Sequence, residues 1–295
     1  MAANYWYSTQ CNTWLLDRAV IDAVLEEDAK FASPLEIAAV STWCIHTIAM
    51  LCKRLNLRQR VVATASVYFQ RFYSKNTLAS TDPFLVLTAC VYLAAKVEEA
   101  AVRIRTLCGE ASKMFAEMGY NELPNSISVV AEMEFYLLEE LEFDLIVFQP
   151  YDTLQRLCNA CSALIAPDRP TQAPLPRSTS PSTPIPMPEE PQSAAGPQLL
   201  QMAWFLANDL YKTHLPLEHP PYVLAIACLY LALVLLPTSA EHIQLTLARD
   251  VPQRPPPVLV EFLSGLNVSL PLVASVVQDM LTYYDLWNKL LQPAS

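Results

Sequence analysis

The sequence repeats itself at an offset of 138 residues, and this repeat limits the fold more than any other feature of the chain. Residues 83–97 read PFLVLTACVYLAAKV and residues 221–235 read PYVLAIACLYLALVL, with six of 15 positions identical. The same offset relates Tyr73 to Tyr211 across loops of equal length. A repeat this long indicates two duplicated domains rather than a solenoid of short units. The 295 residues suffice for two domains, each with its own core.

The second copy overlaps a run without any charged side chain, residues 222–236. Such a run is either a membrane span or the buried central helix of a bundle. Its 15 residues fall short of the roughly 20 that a span needs, and prolines border both ends. The first copy contains Lys96 and continues into Glu98, as a soluble core helix would. The repeat therefore predicts that this run does not span a membrane. We interpret the 53% apolar content as two buried cores together with surface that a partner covers.

Both halves show helical signals throughout, and no window shows the sustained alternation of a strand. In the first half we predict helices over 34–54, 58–75, 83–99, 103–118 and 126–141, with capping signals at Ser33-Pro34 and Asp82-Pro83. The helix 58–75 carries one apolar stripe, which consists of Val61, Ala65, Tyr68, Phe69 and Phe72. In the second half we predict helices over about 151–166, 198–213, 221–236, 256–266 and 271–291. The predicted fold is all-α: an N-terminal helical segment (1–32) precedes two tandem five-helix bundles, over 33–145 and 146–295.

A proline-rich stretch, residues 167–197, interrupts the second bundle with 10 prolines and seven Ser or Thr. This composition cannot form a core, so we predict a disordered or polyproline-II loop. Ser180 and Thr183 each precede a proline and are candidate sites of proline-directed phosphorylation. The simpler alternative is an unmodified insertion, because long loops add little closure entropy.

Motifs for chemistry are missing from the sequence. It contains no GxxxxGK[ST], GxGxxG or GxSxG motif and only four histidines, so we predict no catalytic, cofactor or metal site. Cys158 and Cys161 form a CxxC without a second ligand pair, which favours two buried thiols over zinc. The eight scattered cysteines indicate reduced thiols in the cytosol or nucleus, and we expect no secretory signal. A net charge of −10 gives no general attraction to nucleic acid.

Three stretches resemble the cyclin family and its two-box fold. They read LRQRVVATASVYFQRFY, CVYLAAKVEE and EFYLLEELEFDLIVFQPY, and AAKVEE resembles the LASK-x-EE helix end of the family. Within the family, the N-terminal NYWYSTQCNTWLLDR and the second-box NDLYKTHLPLEHPPYVLAIACLYLA are similar to the C-type cyclins. The likeness covers nearly the whole chain except the proline-rich stretch.

The resemblance implies a non-catalytic regulatory subunit. Cyclins bind the small lobe of a cyclin-dependent kinase beside its mobile αC helix, and hold that helix in its active position. C-type cyclins partner the kinase of the Mediator complex, which acts on RNA polymerase II transcription. The resemblance therefore implies a nuclear protein whose partners are a cyclin-dependent kinase and other Mediator kinase-module subunits, without direct contact to nucleic acid or membrane.

The resemblance also assigns the kinase-contacting residues. Lys96 and Glu134 match the family's kinase-binding pair, although an ordinary ion pair within the first bundle is the alternative. Val234 stands at the position equivalent to Lys96 in the second copy, which favours kinase binding by the first bundle alone. The flanking apolar residues Val97, Leu138 and Phe143 match family contacts, but on spacing alone they are also compatible with core positions.

Two pairs of residues near this site have open roles. Trp6 and Trp14 precede the first bundle, and are either docked on it or anchors for the kinase; we expect a partly shared role. Glu98 and Glu99 either contribute to an acidic groove for another Mediator subunit or are solvated glutamates at a helix end.

Two other classes of protein remain as alternatives. One is a cyclin-fold transcriptional adaptor that acts without a kinase, as in transcription factor IIB or the retinoblastoma pocket. The factor-IIB version predicts a basic surface and a zinc ribbon, and the charge of −10 and the lack of an N-terminal CxxC argue against both. The other is an all-α enzyme, for which the sequence offers no polar catalytic cluster. The first helix also lacks the Met-Arg-x-x-Leu substrate-docking motif of cell-cycle cyclins.

Overall fold

A computed structural model describes residues 4–120, 127–165, 195–236 and 258–291 of the chain. Within these ranges every regular element is helical, which confirms the all-α prediction. The N-terminal segment comprises a 3-10 turn, Tyr5–Tyr7, followed by α1 (Thr9–Asn12) and α2 (Arg18–Asp28).

The first bundle consists of five helices, two of which begin at the predicted capping signals. They are α3 (Pro34–Arg54), α4 (Gln59–Tyr73), α5 (Pro83–Val97), α6 (Ile104–Glu117) and α7 (Ile127–Glu140). The Ser33 hydroxyl accepts a hydrogen bond from the Glu36 amide, and the Glu36 carboxylate accepts one from the Ser33 amide. Helix α5 packs against the other four and forms the centre of the bundle.

The second bundle repeats this arrangement around its own apolar helix. Its helices are α8 (Tyr151–Ile165), α9 (Ala195–Leu210), α10 (Leu215–Glu218), α11 (Pro221–Leu235), α12 (Val258–Gly265) and α13 (Leu270–Leu291). Helix α11 begins and ends at the residues equivalent to the ends of α5, and packs against α8, α9, α10 and α13. Together the two bundles confirm the predicted tandem architecture.

The boundaries of the second bundle differ from the prediction in two places. Helix α9 begins at Ala195, inside the stretch that we predicted as a loop, and ends at Leu210, where the Thr213 amide and hydroxyl both bond the Leu210 carbonyl. The four-residue α10 is too short for periodicity to reveal. Ser180 and Thr183 lie outside the described residues.

Helix α4 is buried around its whole circumference, which its sequence did not indicate. We predicted one apolar stripe, and all of its members lie in the first core: Val61, Ala65, Tyr68, Phe69 and Phe72. On the other side, Ala63 and Val67 belong to the core of the second bundle, so all residues from 61 to 72 are buried. Because these second-face side chains are small, they form no visible second stripe in the sequence.

Gln70 forms hydrogen bonds between α4 and the second bundle. Its side chain is buried, and Nε2 donates to the carbonyl oxygens of Tyr211 and Thr213, both at 2.7 Å. Leucine would fill a similar volume but leave both carbonyls without this donor. We expect Gln70→Leu to lower the free energy of unfolding by about 1–3 kcal/mol, measured by urea denaturation.

Gln155→Leu is the matched control, because Gln155 is exposed on α8. We expect this change to stay within about 0.5 kcal/mol of the unaltered chain. Equal losses in the two variants would contradict the role assigned to Gln70.

Among the described helices, α3 has the length and apolar composition that would suit a membrane span. Its buried face, which includes Ile48 and Leu51, lies in the first core. The helix is therefore assigned to the bundle, as the capping signal at Ser33 predicted.

Candidate protein-binding site

Lys96 and Glu134 meet at one end of the first bundle, as we predicted from the resemblance. Lys96 lies in the last turn of α5 and Glu134 in the middle of α7, and Nζ donates to both carboxylate oxygens at 2.6 and 2.9 Å. Nζ also lies 4.0 Å from the ring centroid of Tyr92. The Glu134 side chain is 11% exposed, whereas that of Lys96 is 41% exposed. The pair therefore presents its ammonium group to solvent over a largely buried carboxylate.

The carboxylate governs the ionisation of Lys96. Partial burial lowers the pKa of Lys96, but the hydrogen bonds and negative charges of Glu134 and, to a smaller extent, Tyr92 together outweigh it, so the pKa is raised. The ammonium form persists through the physiological range, and all three of its N–H groups remain donors. Glu134 supplies two acceptors and Tyr92 also contacts the ammonium group, so a backbone carbonyl that approaches would compete with Tyr92 for a donor.

The three flanking apolar residues differ in exposure. Val97 and Leu138 are partly buried and pack against the first core, so both have the core contacts that spacing also allowed. Phe143 is 70% exposed and is available to a partner. Our sequence analysis missed two exposed residues, Phe135 and Ile146. Phe135 lies in α7, and Ile146 lies in the segment that follows α7. For Phe135 the signal was an aromatic residue at an outward position of α7, between Glu132 and Glu139.

Phe143 lies in a turn with an unusual backbone, residues 141–145. Glu142 has φ +54° and Phe143 has φ +60°, so two consecutive residues with Cβ atoms adopt the left-handed conformation. Each costs about 1–3 kcal/mol, which surrounding contacts must offset. Tyr68 Oη donates to the Leu145 carbonyl at 2.5 Å, and Arg71 Nη1 donates to the Asp144 carbonyl at 2.8 Å. The buried side of α4 therefore holds this turn.

The two tryptophans of the N-terminal segment have different environments. Trp6 is 61% exposed and packs against Tyr222 of α11, with ring centroids 5.7 Å apart. Trp14 is 2% exposed, its Nε1 donates to Asp144 Oδ2 at 3.0 Å, and its ring lies 4.7 Å from the Arg71 guanidinium. Trp14 is therefore docked inside the fold. The predicted direct contact of Trp14 with a partner does not match this burial, and we leave it out of the proposed interface.

The two glutamates after α5 also differ. Glu98 is partly buried and accepts hydrogen bonds from Thr64 Oγ1 at 2.6 Å and Gln149 Nε2 at 3.4 Å. These bonds tie the end of α5 to α4 and to the segment that leads into the second bundle. Glu99 is exposed. Of the two glutamates, Glu99 is therefore the one that is exposed to a partner, whereas Glu98 is bonded to Thr64 and Gln149 within the fold.

The CxxC cysteines lie within the second core. Cys158 and Cys161 are buried in α8, where burial raises the pKa of Cys158 to about 12 and that of Cys161 to about 11. Among the described residues no group of three or more His, Cys, Asp or Glu could hold a metal ion. Both thiols therefore have the environment of buried apolar side chains.

Comparisons with known proteins bear on the whole chain. The family model described as "Cyclin, N-terminal domain" matches residues 38–146. The RNA polymerase II holoenzyme cyclin-like subunit of Mycosarcoma maydis is 35% identical, over 98% of this chain and 91% of that protein. Cyclin-C of Drosophila melanogaster is 32% identical, over the same shares of each chain. A solved structure of the CAK complex from Chaetomium thermophilum bound to ATP-gamma-S contains a chain with a TM-score of 0.61 and 17% identity, over 95% of this chain and 79% of that one.

Proposed function

Since this chain belongs to the cyclin family, we propose that it is the non-catalytic regulatory subunit of a cyclin-dependent kinase that acts in RNA polymerase II transcription. The name of the Mycosarcoma maydis relative, an RNA polymerase II holoenzyme cyclin-like subunit, supports the transcriptional role. The finer proposal is that the kinase is that of the Mediator complex and that the complex is nuclear. The observation that carries the kinase-binding role is the exposed Lys96 ammonium over a buried Glu134 carboxylate, beside exposed Phe143.

The geometry suits recognition of a backbone segment. A Lys ammonium donates and a carboxylate accepts, so the pair can bond both kinds of backbone group in a partner. Phe135 and Phe143 add exposed aromatic surface of the kind that anchors protein interfaces. By binding the active arrangement of the kinase more tightly than the inactive one, the chain shifts the kinase population towards activity.

The repeat supports assignment of the kinase site to the first bundle, for which we propose the bounds 33–145. Val234, the equivalent of Lys96, is 47% exposed, so the second bundle presents an apolar side chain where the first presents a charge. The second bundle, proposed to span 146–295, is then available to other subunits. Glu99 is the residue that we propose for contact with a further Mediator subunit, because it is exposed next to the kinase site.

Affinity purification of the tagged full chain from its own cells tests this function. We expect a cyclin-dependent kinase and Mediator subunits to co-purify. Recovery of general transcription factors without a kinase would instead support the adaptor function, and would overturn our proposal.

Replacing Phe143 tests the site within the same experiment. Phe143→Asn removes the exposed ring but retains a residue that tolerates φ near +60°, so we expect the recovered kinase to fall about ten-fold, a loss of about 1.4 kcal/mol. Phe205→Asn removes an exposed ring from the second bundle, where Phe205 is 56% exposed, and serves as the control. Equal kinase recovery with both variants would contradict the assigned surface.

A further inference from the structure

The N-terminal segment contacts the turn that presents Phe143. Trp14 Nε1 donates to Asp144 Oδ2 at 3.0 Å, in the middle of that turn. Four residues earlier, the Gln10 amide forms two hydrogen bonds with the backbone of Phe148: its Oε1 accepts from the Phe148 amide at 2.6 Å and its Nε2 donates to the carbonyl at 3.3 Å. Both Trp14 and Gln10 are buried. The N-terminal segment therefore contacts the turn at Asp144, and contacts the chain just after the turn at Phe148.

Trp14 also shields the cations behind the turn. Its ring centroid lies 4.7 Å from the Arg71 guanidinium carbon and 4.7 Å from Lys75 Nζ. Arg71 is 1% exposed and supports the Asp144 carbonyl, while Lys75 donates to the Glu140 carbonyl and to Glu142 Oε1, at 3.0 and 2.7 Å. An aromatic face stabilises a desolvated cation such as the buried Arg71 guanidinium, so the group that supports the Asp144 carbonyl itself depends on Trp14.

We propose that Trp14 is a positioning residue for the partner-binding turn: buried and away from the partner itself, it holds the turn 141–145, in which Glu142 and Phe143 adopt the left-handed conformation that presents the Phe143 ring. The proposal rests on the kinase-binding function proposed above for Phe143. It explains why a strained turn persists at this surface, because consecutive residues with Cβ atoms adopt positive φ only where neighbours over-determine them.

Hydrogen–deuterium exchange of the free chain tests, without any kinase, whether Trp14 holds the turn. The amides of 142–145 bond within the turn region and that of Phe148 bonds Gln10. Trp14→Phe keeps a ring over the cations but removes the Nε1–H donor. We expect exchange at 142–148 to accelerate about ten-fold or more, while α11 and the second core keep their protection. Unchanged exchange at 142–148 would overturn the proposal, whatever the kinase does.

A double-mutant cycle with the kinase that co-purifies with the wild-type chain tests the consequence for binding. We expect Trp14→Phe to weaken kinase affinity about ten-fold alone, but less than about two-fold in the Phe143→Asn background, since the positioned side chain is then already gone. Val223→Ala, in the second core, should lower the melting midpoint and leave kinase affinity unchanged. Additive losses from Trp14→Phe and Phe143→Asn, or a loss with Val223→Ala, would overturn the positioning role. If the wild-type chain binds no kinase, the proposed function fails. The hydrogen–deuterium exchange result still decides whether Trp14 holds the turn.

Discussion

Exchanging the two charges of the candidate site, by Lys96→Glu together with Glu134→Lys, is expected to restore the stability of the fold but not kinase binding. Either single reversal places like charges 2.6–2.9 Å apart at a half-exposed site, and should cost about 1–3 kcal/mol of unfolding free energy. The exchanged pair re-forms an ion pair across α5 and α7. In the native chain a kinase segment meets a donor from α5 and an acceptor from α7. In the exchanged variant it meets an acceptor from α5 and a donor from α7. We expect kinase affinity to fall about 100-fold or more, which corresponds to at least about 2.7 kcal/mol.

The result separates the two roles that the sequence left open for this pair. An ion pair that only closes the bundle would give back both stability and kinase binding when its charges are exchanged. Recovery of kinase binding in the exchanged variant would therefore contradict the kinase-contacting role. Glu110 and Lys113 form an i,i+3 pair on the surface of α6, at 2.9 Å, and the same exchange there should leave both quantities unchanged. Stability is measured by urea denaturation and affinity by titration with the purified kinase.

A second expected result is loss of the fold in mild alkali. Burial raises the pKa of seven cysteine thiols above the ordinary value of 9.0; these are Cys44, Cys52, Cys90, Cys108, Cys158, Cys161 and Cys228. The unfolded chain therefore releases these protons from about pH 9, while the folded chain retains them. Their contribution to stability is fully present below that pH and is lost as the pH rises towards 11–12.

The size of this effect follows from the number of thiols. Each loses up to about 1.4 kcal/mol per pH unit, so seven together approach the 5–15 kcal/mol that stabilises a typical domain. Arg71 acts in the opposite direction, because burial lowers its pKa to about 10, but it is a single group. We expect helical ellipticity to collapse within about two pH units above 9 under reducing conditions. An unchanged melting midpoint at pH 10 would contradict the burial of these thiols.

A single substitution provides the control for this pH profile. Cys90 lies in the first core with no exposed surface, so Cys90→Ala should flatten the alkaline slope by up to about 1.4 kcal/mol per pH unit. The unaltered chain, measured beside this variant, supplies the reference slope. The comparison is made from urea midpoints measured at a series of pH values.

Local signals in the sequence were sufficient for most of the helices. Ser33, Asp82 and the prolines that follow them fixed two helix starts, and the repeat transferred the bounds of α5 to α11. The candidate pair could be identified only through the family resemblance, because Lys96 and Glu134 are 38 residues apart and nothing in their spacing joins them.

Long-range packing explains what the sequence could not predict. The docking of Trp14 against Asp144 joins residues 130 positions apart, and the backbone strain at Phe143 depends on that contact and on Arg71. The short α10, which packs against α4 and α11, is likewise not visible in the periodicity of the sequence. The sequence patterns therefore predicted where the helices lie better than they predicted which side chains are buried.

The shared helix α4 also has a consequence for synthesis on the ribosome. Residues 59–73 leave the ribosome long before the second bundle is complete at residue 291. At 5–20 residues per second the interval is about 10–40 s. Throughout it, the face of α4 that carries Ala63, Val67 and Gln70 lacks its neighbours from the second bundle, including the Tyr211 carbonyl that bonds Gln70. Part of the apolar surface of the nascent first bundle therefore stays exposed for a time that is set by translation speed rather than by its own folding rate.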